Sequence, residues 1–413
     1  MDRAHRREWA LVLAATVRVT RDLDLAEECT QDAYAKALQT WARTGVPIRT
    51  GAWLTTSARN RARDVLRRES TLRRVLPMLV VADRVPGPGE TDDGPVIDDD
   101  VLRLIFTCCH PALSRDAQVA LTLRLVCGLS TPEVARGFLV QEATMAARIT
   151  RAKKKIGAAR IPYRLPSRED LPERISAVLE VVYLVFTTGH AAPVGSSLVR
   201  RDLLNSAVGL GRLLHGLMPL DSEVTGLFAL MLLIDTRRDT RMSDVGRLVL
   251  LADQDRDGWD RDMIGEGVGL LTQSLCRQPP GRYAVQAAIA AVHAEAPTWE
   301  ATDWAQIVGL YDVLRELWPS PVVDLNRAVA LGFRDGPEAG LAAVAPLLAE
   351  PALAGYGHLS AARADLLRRL HRWRDAADAY AQAVALTDND VERAFLLARV
   401  DEVRAHCSCR SQT

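Results

Sequence analysis

Residues 128–156, GLSTPEVARGFLVQEATMAARITRAKKKI, leave little room for anything but two short helices. Thr131 is a candidate N-cap, and Pro132 suits the first helical position, where a missing N–H leaves no bond unmade. Glu133 in the first turn complements the helix dipole. Val134, Ala135 and Phe138 give this helix a short apolar face, and Leu139-Val140-Gln141 reads as a turn. In the second helix Met145, Ile149 and Ala152 recur at helical spacing, while Arg148, Arg151, Lys153, Lys154 and Lys155 crowd the remaining surface. A helix, a turn and a basic second helix make a helix-turn-helix pattern: the second helix fits a DNA major groove and its cations can meet phosphates. The plainer alternative is an amphipathic helix pair with a solvated charged face.

Charge separates this region from the rest. The 413 residues carry 52 Lys/Arg and 52 Asp/Glu, yet residues 1–80 hold 15 bases against 9 acids. Residues 83–100 hold seven acids and one base, and residues 141–168 eight bases and one acid. A neutral total with basic blocks in one half confines a polyanion site to that half. The length suits two or three domains, each with a sizeable core. Seven irregularly spaced cysteines (29, 108, 109, 127, 276, 407 and 409) suit a reducing cytoplasm better than a disulfide framework. No apolar run reaches membrane-spanning length, and Arg18 and Arg21 interrupt the N-terminal one, which therefore reads as a helix.

Residues 5–69 read as three helices. Trp9, Leu11, Val12, Leu13, Val17 and Val19 are the apolar residues of the first. The second, about residues 25–41, turns Leu25, Cys29, Ala33, Ala37, Leu38 and Trp41 inward and Glu27, Glu28, Gln31, Asp32 and Lys36 outward. The third, about residues 50–68, can pack Trp53, Leu54, Ala58, Val65 and Leu66. Its Arg59, Asn60, Arg61, Arg63, Asp64, Arg67 and Arg68 exceed what packing needs. Such a helix suits DNA, with cations for phosphates, Asn for a base edge and Trp for stacking on an unpaired base; an exposed basic helix is the bland alternative. Residues 70–98 end as DRVPGPGETDDGPVIDDD, an acidic linker too poor in apolar residues for a core. Helices resume at 98–107 and 115–127.

The order of these pieces resembles a bacterial extracytoplasmic-function RNA polymerase sigma factor over residues 5–160. The family's polymerase-binding pattern is matched by Ala26-Glu27-Glu28-Cys29-Thr30-Gln31-Asp32-Ala33-Tyr34, its promoter-melting pattern by Trp53-Leu54, Ala58-Arg59-Asn60, Asp64 and Arg67, and its recognition helix by residues 143–153. The recognition helix departs at Ala146-Ala147, where the family has a Lys-Ser pair. Those alanines make no base-edge hydrogen bonds, which shifts specificity to Gln141, Thr144, Arg148 and Arg151. The resemblance implies core RNA polymerase as partner of Glu27, Glu28, Gln31, Asp32 and Tyr34. It implies minus-10 promoter DNA for Trp53, Arg59, Asn60, Arg63, Asp64 and Arg67. It implies minus-35 DNA for Gln141, Thr144, Arg148, Arg151 and Lys154.

Phe106-Thr107-Cys108-Cys109-His110-Pro111 and the long C-terminal half resemble the subgroup with a tetratricopeptide-like extension, through segments such as GLFALMLL (226–233), LLADQDRDGWDRDMIGEG (250–267) and SPVVDLNRAVAL (320–331). Phe186-Thr187-Thr188-Gly189-His190 departs from the subgroup's usual Asn-Glu-Gly-Tyr. Residues 171–405 show helical apolar spacing broken by Gly and Pro. Trp304, Ile307 and Tyr311 match the first half of such a repeat, and Trp373, Ala376, Tyr380 and Ala383 the second. Stacked helix pairs commonly bind a peptide or protein, here an intramolecular or a separate partner.

No Gly-rich phosphate loop, HExxH or nucleophile elbow appears, so no catalytic residue, cofactor or enzyme activity is expected. Asp253, Asp255, Asp257 and Glu266 suggest a calcium loop, but Gly258 and Ile264 break its pattern, and charge pairs with Arg256 and Arg261 or a helix cap explain them better. Adjacent Cys108-Cys109 chelate poorly, and His406-Cys407-Ser408-Cys409 falls on an expected frayed tail, so no metal site is assigned. The expected architecture is all-α: a sigma domain at 5–70 for polymerase and minus-10 contacts, a flexible acidic linker at 71–98, and a minus-35 helix-turn-helix domain at 99–160. A helical extension at 171–280 and tetratricopeptide-like repeats at 281–405 follow, regulating the sigma part in cis. Two rivals are a helix-turn-helix regulator with a repeat-type sensor and no polymerase role, and an enzyme or metal protein built on the C-terminal helices. The first leaves the acidic helix and the Trp53/Asn60 helix unexplained.

Overall fold

The structure is a computed structural model that describes residues 2–75, 97–138, 140–159, 161–167, 169–277 and 279–409. It is all-α apart from two dipeptide strands among the described residues. Two compact units divide it, Met1–Val182 and Tyr183–Thr413.

The first unit opens with α1 (Asp2–Thr20), α2 (Leu23–Thr44) and α3 (Thr50–Val75). The Asp22 carboxylate caps α2, accepting from Asp24 N at 2.8 Å and Leu25 N at 2.9 Å. All three helices run longer than the apolar spacing implied, and α3 takes in the first residues assigned to the linker. Of that linker, residues 76–96 lie outside the described residues. The chain continues as α4 (Ile97–Cys108), α5 (Arg115–Leu121), a π turn (Thr122–Val126), α6 (Thr131–Gly137), α7 (Glu142–Ala158) and α8 (Leu171–His190), whose last residues belong to the second unit.

The cap of α6 differs from the expectation. Ser130, not Thr131, is the N-cap: its backbone N–H donates to Glu133 Oε2 at 2.7 Å, and its hydroxyl accepts from Glu133 N at 3.4 Å. This reciprocal capping box uses Glu133 three residues on, so the helix starts one residue before Pro132.

One core joins the helices on both sides of the linker. Trp9, Leu13, Leu54, Leu104, Ile105, Leu121, Leu125 and Met145 are all within 2% of full burial. The Trp9 indole N–H donates to Leu125 O at 3.1 Å. Gly128, at φ +71°, brings its backbone against the same ring: an added Cβ would lie 3.0 Å from Trp9 Cγ. The Tyr163 hydroxyl, placed beyond α7, meets Ala14 O at 3.2 Å and Asp100 O at 2.9 Å.

The second unit follows the end of α8 with β1 (Val194–Gly195), α9 (Arg201–Leu217) and α10 (Ser222–Asp235), then α11 (Arg261–Arg277) and α12 (Arg282–Glu295). It continues with α13 (Trp304–Leu317), α14 (Pro321–Arg334), α15 (Pro337–Val344), α16 (Gly357–Arg369), α17 (Trp373–Ala385), β2 (Asp388–Asn389) and α18 (Asp390–Cys409). The last helix runs on through the segment expected to fray. Helix α10 is apolar all round and packs against α9, α11 and α12. Its Gly226 lets α12 approach closely, since a Cβ there would stand 2.8 Å from Ala284 N.

Farther along, successive helices bury a run of small cores: Val285, Ile307, Val308 and Val323 in one, Leu325, Val344 and Leu366 in the next, Ala376, Tyr380, Ala383 and Val403 in the last. The parallel β1–β2 pair ties the two ends of the unit together. There the Asn389 side chain, fully buried, donates to Ala192 O at 2.9 Å and Ser197 O at 3.0 Å, and its carbonyl accepts from Val391 N and Glu392 N at the start of α18.

Candidate nucleic-acid and polymerase interface

Helix α2 divides its polar residues between two faces. Glu28, Gln31 and Asp32 are exposed, whereas Glu27 and Tyr34, seven residues apart, point inward at 7% and 8% exposure. Asp32 holds Arg61 of α3 at 2.8 Å, an exposed pair worth little in water.

Glu27 lies at the centre of a buried charge cluster. One carboxylate oxygen pairs with Arg124 of the π turn, and the other accepts from Lys153 Nζ of α7 at 2.6 Å. Lys153 also reaches Asp24 Oδ1 at 2.7 Å. Side-chain exposure is 10% for Lys153 and 9% for Glu27, so little water screens this pair. Burial works against the Lys153 ammonium, but hydrogen bonds and charge from Asp24 and Glu27 outweigh it and hold its pKa above the usual lysine value. Arg124 also donates to Leu129 O at 3.0 Å and lies over the Trp9 ring. Neither Arg124 nor Lys153 was singled out as a partner of Glu27. A signal existed for Lys153: with Ile149, Ala152 and Ile156 it shares the i, i+3, i+4, i+7 stripe that α7 buries.

On α3, Asn60, Arg63, Asp64 and Arg67 fall at i, i+3, i+4 and i+7 and form one exposed face. Trp53 is half-buried, its ring 5.5 Å from that of Trp41. Arg59 turns toward α1, with Nε 3.4 Å from Ala15 O. On α7, Met145, Ile149, Ala152 and Ile156 are buried and Gln141, Thr144, Arg151 and Lys154 exposed. Gln141 occupies the N-cap position without a side-chain cap bond. Arg148, half-buried, lies 3.3 Å from Asp116 of α5. The fold thus groups the α3 residues on one helix and the α7 residues on another, and separates Glu27 and Tyr34 from the rest of the α2 set. It also gathers Arg18, Arg21, Arg103 and Arg164, which no pattern had connected, around a cavity of about 600 Å3.

The tempting metal motifs are otherwise engaged. Cys108 and Cys109 are buried, which pushes both thiols up, Cys109 to about 11. Asp255 accepts from Asp257 N at 3.0 Å, Asp257 lies 4.0 Å from Arg261, and Glu266 pairs with Arg212 at 2.6 Å. No group of three or more metal-ligating side chains occurs among the described residues. Nor is any described helix long and apolar enough to cross a membrane.

Comparison with known proteins agrees with this geometry. Residues 5–71 match Sigma-70 region 2, residues 103–156 match Sigma-70 region 4, and residues 174–275 match a family of unknown function, DUF6596. An uncharacterized protein of Rhizobium meliloti (strain 1021) is 44% identical over 396 residues, covering 95% of this chain and 93% of its own. Regions 2 and 4 serve promoter-specific transcription, with core RNA polymerase and promoter DNA as partners. The chain therefore belongs to the extracytoplasmic-function type of RNA polymerase sigma factor, in a form with a C-terminal helical extension.

Proposed function

We propose that this sigma factor docks on core polymerase through α2, using Glu27, Glu28, Gln31, Asp32 and Tyr34. Trp53, Arg59, Asn60, Arg63, Asp64 and Arg67 of α3 hold the unpaired minus-10 strand. There, stacking on a captured base offsets unstacking, which costs about a few kcal/mol per base. Gln141, Thr144, Arg148, Arg151 and Lys154 of α7 read the minus-35 duplex. The observation that carries this reading is the clean division of α7, its apolar stripe buried and its basic face open to a groove. Glu27 and Arg59 are engaged inside the free protein, so docking exchanges their partners for polymerase and DNA. The chain supplies no catalyst of its own, because the chemistry belongs to the polymerase. The C-terminal helices, divided as 171–280 and 281–405, regulate the sigma part in cis.

Run-off transcription with sigma-free core polymerase on a promoter fragment from the same genome tests the first part. Discrete transcripts that Asn60→Ala or Arg148→Ala abolishes support it. Binding to bare duplex without transcripts would favour a simple helix-turn-helix regulator. For the cis role, the cut belongs after His190 rather than at 170. Ile175, Val178, Leu179 and Val182 of α8 are buried in the first unit, and Arg174 donates to Phe106 O there. A truncated protein with unchanged polymerase binding and promoter activity would rule that role out.

A further inference from the structure

The second unit holds a cavity whose charge is not balanced. It lies between the C-terminal end of α10 and α12, walled by Leu233, Ile234, Leu251, Trp259, Ala290 and Ala294, and two polar side chains enter it, Arg237 and His293. Among the described residues the Arg237 guanidinium has no hydrogen-bond or ion-pair partner. The nearest acid in sequence, Asp235, is taken by Arg238, whose Nε lies 2.7 Å from its Oδ1. Burial, followed by the charges of Arg241 and Arg256, presses its pKa down to about 10. Arg256, 7% exposed, donates through Nη1 to His293 O at 2.6 Å and Ala296 O at 2.7 Å, while its Nη2 is buried without a partner. His293 Nδ1 is likewise buried and unpartnered. Arg237 is half-buried, and a guanidinium without a partner beside the buried, unpartnered His293 Nδ1 on one cavity points to a missing anion.

We propose that this cavity binds a small monocarboxylate, with Arg237 as its counter-ion and the neutral His293 imidazole as a second hydrogen-bond partner. Three features select that class. The planar guanidinium fork matches a carboxylate in two parallel hydrogen bonds. Arg237 is the one cation among the lining residues, so a monoanion matches it more closely than a phosphate dianion does. The other walls are apolar and suit a methyl or ethyl group. The cavity measures about 40 Å3, room for about three waters, which an acid of acetate or propionate size displaces.

The test uses the full chain in chloride buffer, titrated with acetate and propionate, and with phosphate and sulfate at matched ionic strength. Calorimetry and thermal melting are the readouts. Acetate or propionate is expected to bind saturably and to raise the melting temperature with concentration as ligand linkage requires. Arg237→Met removes the counter-ion, so it should abolish the response while leaving the melting temperature of the ligand-free protein within about 1 °C of the wild type. Ala290→Leu fills the cavity and keeps the charge, and should abolish the response in a protein whose circular dichroism is unchanged. No saturable response in the wild type, a response that survives both substitutions, or a preference for phosphate or sulfate would each overturn the proposal.

Discussion

Replacing Lys153 with Met tests the pairing of α2 with α7. The substitution keeps the aliphatic stem and removes the ammonium that lies 2.6 Å from Glu27 and 2.7 Å from Asp24. Stripping a buried pair of one partner costs about 3–5 kcal/mol when the other charge is left alone. Here Glu27 keeps Arg124 and Asp24 is largely exposed, so about 2 kcal/mol is the reasonable figure. At about 1.4 kcal/mol per decade, the form with α7 released becomes roughly thirtyfold more populated. Hydrogen exchange of the α7 amides should accelerate by about that factor. If α2 is the polymerase-docking helix, affinity for core polymerase without DNA should rise, by at most the same factor. Glu27→Gln also loosens α7, because it leaves Arg124 and Lys153 short of their shared carboxylate. It removes a docking charge as well, so its affinity should fall below that of Lys153→Met. Unchanged α7 exchange in Lys153→Met would refute the energetic reasoning. Faster exchange with unchanged or weaker polymerase binding would refute the claim that this contact covers a docking surface.

Three further perturbations probe the frame. Gly128→Ala should cost about 1–3 kcal/mol, since it meets both a positive φ and the Trp9 ring; Gly246→Ala, with a similar φ of +74° and open space, should cost less in the same urea titration. Asn389→Ala strands two carbonyls and two α18 amides and should destabilise the second unit by about 2–4 kcal/mol, with faster hydrogen exchange at residues 192–198. Burial, followed by Arg237 and Arg256, lowers His293 to about 4 from an ordinary 6.5. The unfolded chain therefore binds the extra proton first as pH falls, so the contribution is whole above about 6.5 and shrinks toward 4; it should be about 2 kcal/mol smaller at pH 5 than at pH 7. A urea midpoint for His293→Gln that follows the same pH slope as the wild type would count against this assignment.

The helical periodicity, the Pro and Gly breaks and the basic second helix of 128–156 were legible because each is a local property of neighbouring residues. The buried stripe of α7 and the exposed face of α3 follow from 3.6-residue spacing alone. The fate of Glu27 is not local. Its spacing permits an outward position, and it turns inward because Arg124 and Lys153, distant in sequence, offer it charge in a place that little water reaches. Tyr34 follows it seven residues on. The start of α6 was misplaced by one residue for a different reason: Ser130 and Thr131 both suit an N-cap, and only the return bond from Glu133 decides between them. The joint core of α1 with α4 and the π turn was likewise invisible, because an acidic linker of some thirty residues says nothing about whether its two ends come to lie side by side.

The two charge clusters ask for opposite completions. Around Glu27 the charges are matched: two cations share one carboxylate, and Asp24 supplies a second acid at the rim. A matched buried cluster is stable until a competitor offers either side an equally dry partner, and a polymerase surface or a DNA phosphate is such a competitor. Solvent alone is a poor one, because opening the cluster to water gives up unscreened attraction before any new contact forms. Around Arg237 the charges are unmatched, because the nearest acid in sequence, Asp235, is taken by Arg238. An unmatched cation is stabilised by whatever small anion arrives, in proportion to its concentration. Under the two proposals, the first cluster responds to macromolecular partners that displace a contact, and the second to solutes that add one. Lys153→Met and Arg237→Met separate the two: deleting a cation from the matched cluster should destabilise the fold, and deleting the half-buried Arg237 should leave stability little changed while removing the response to the anion.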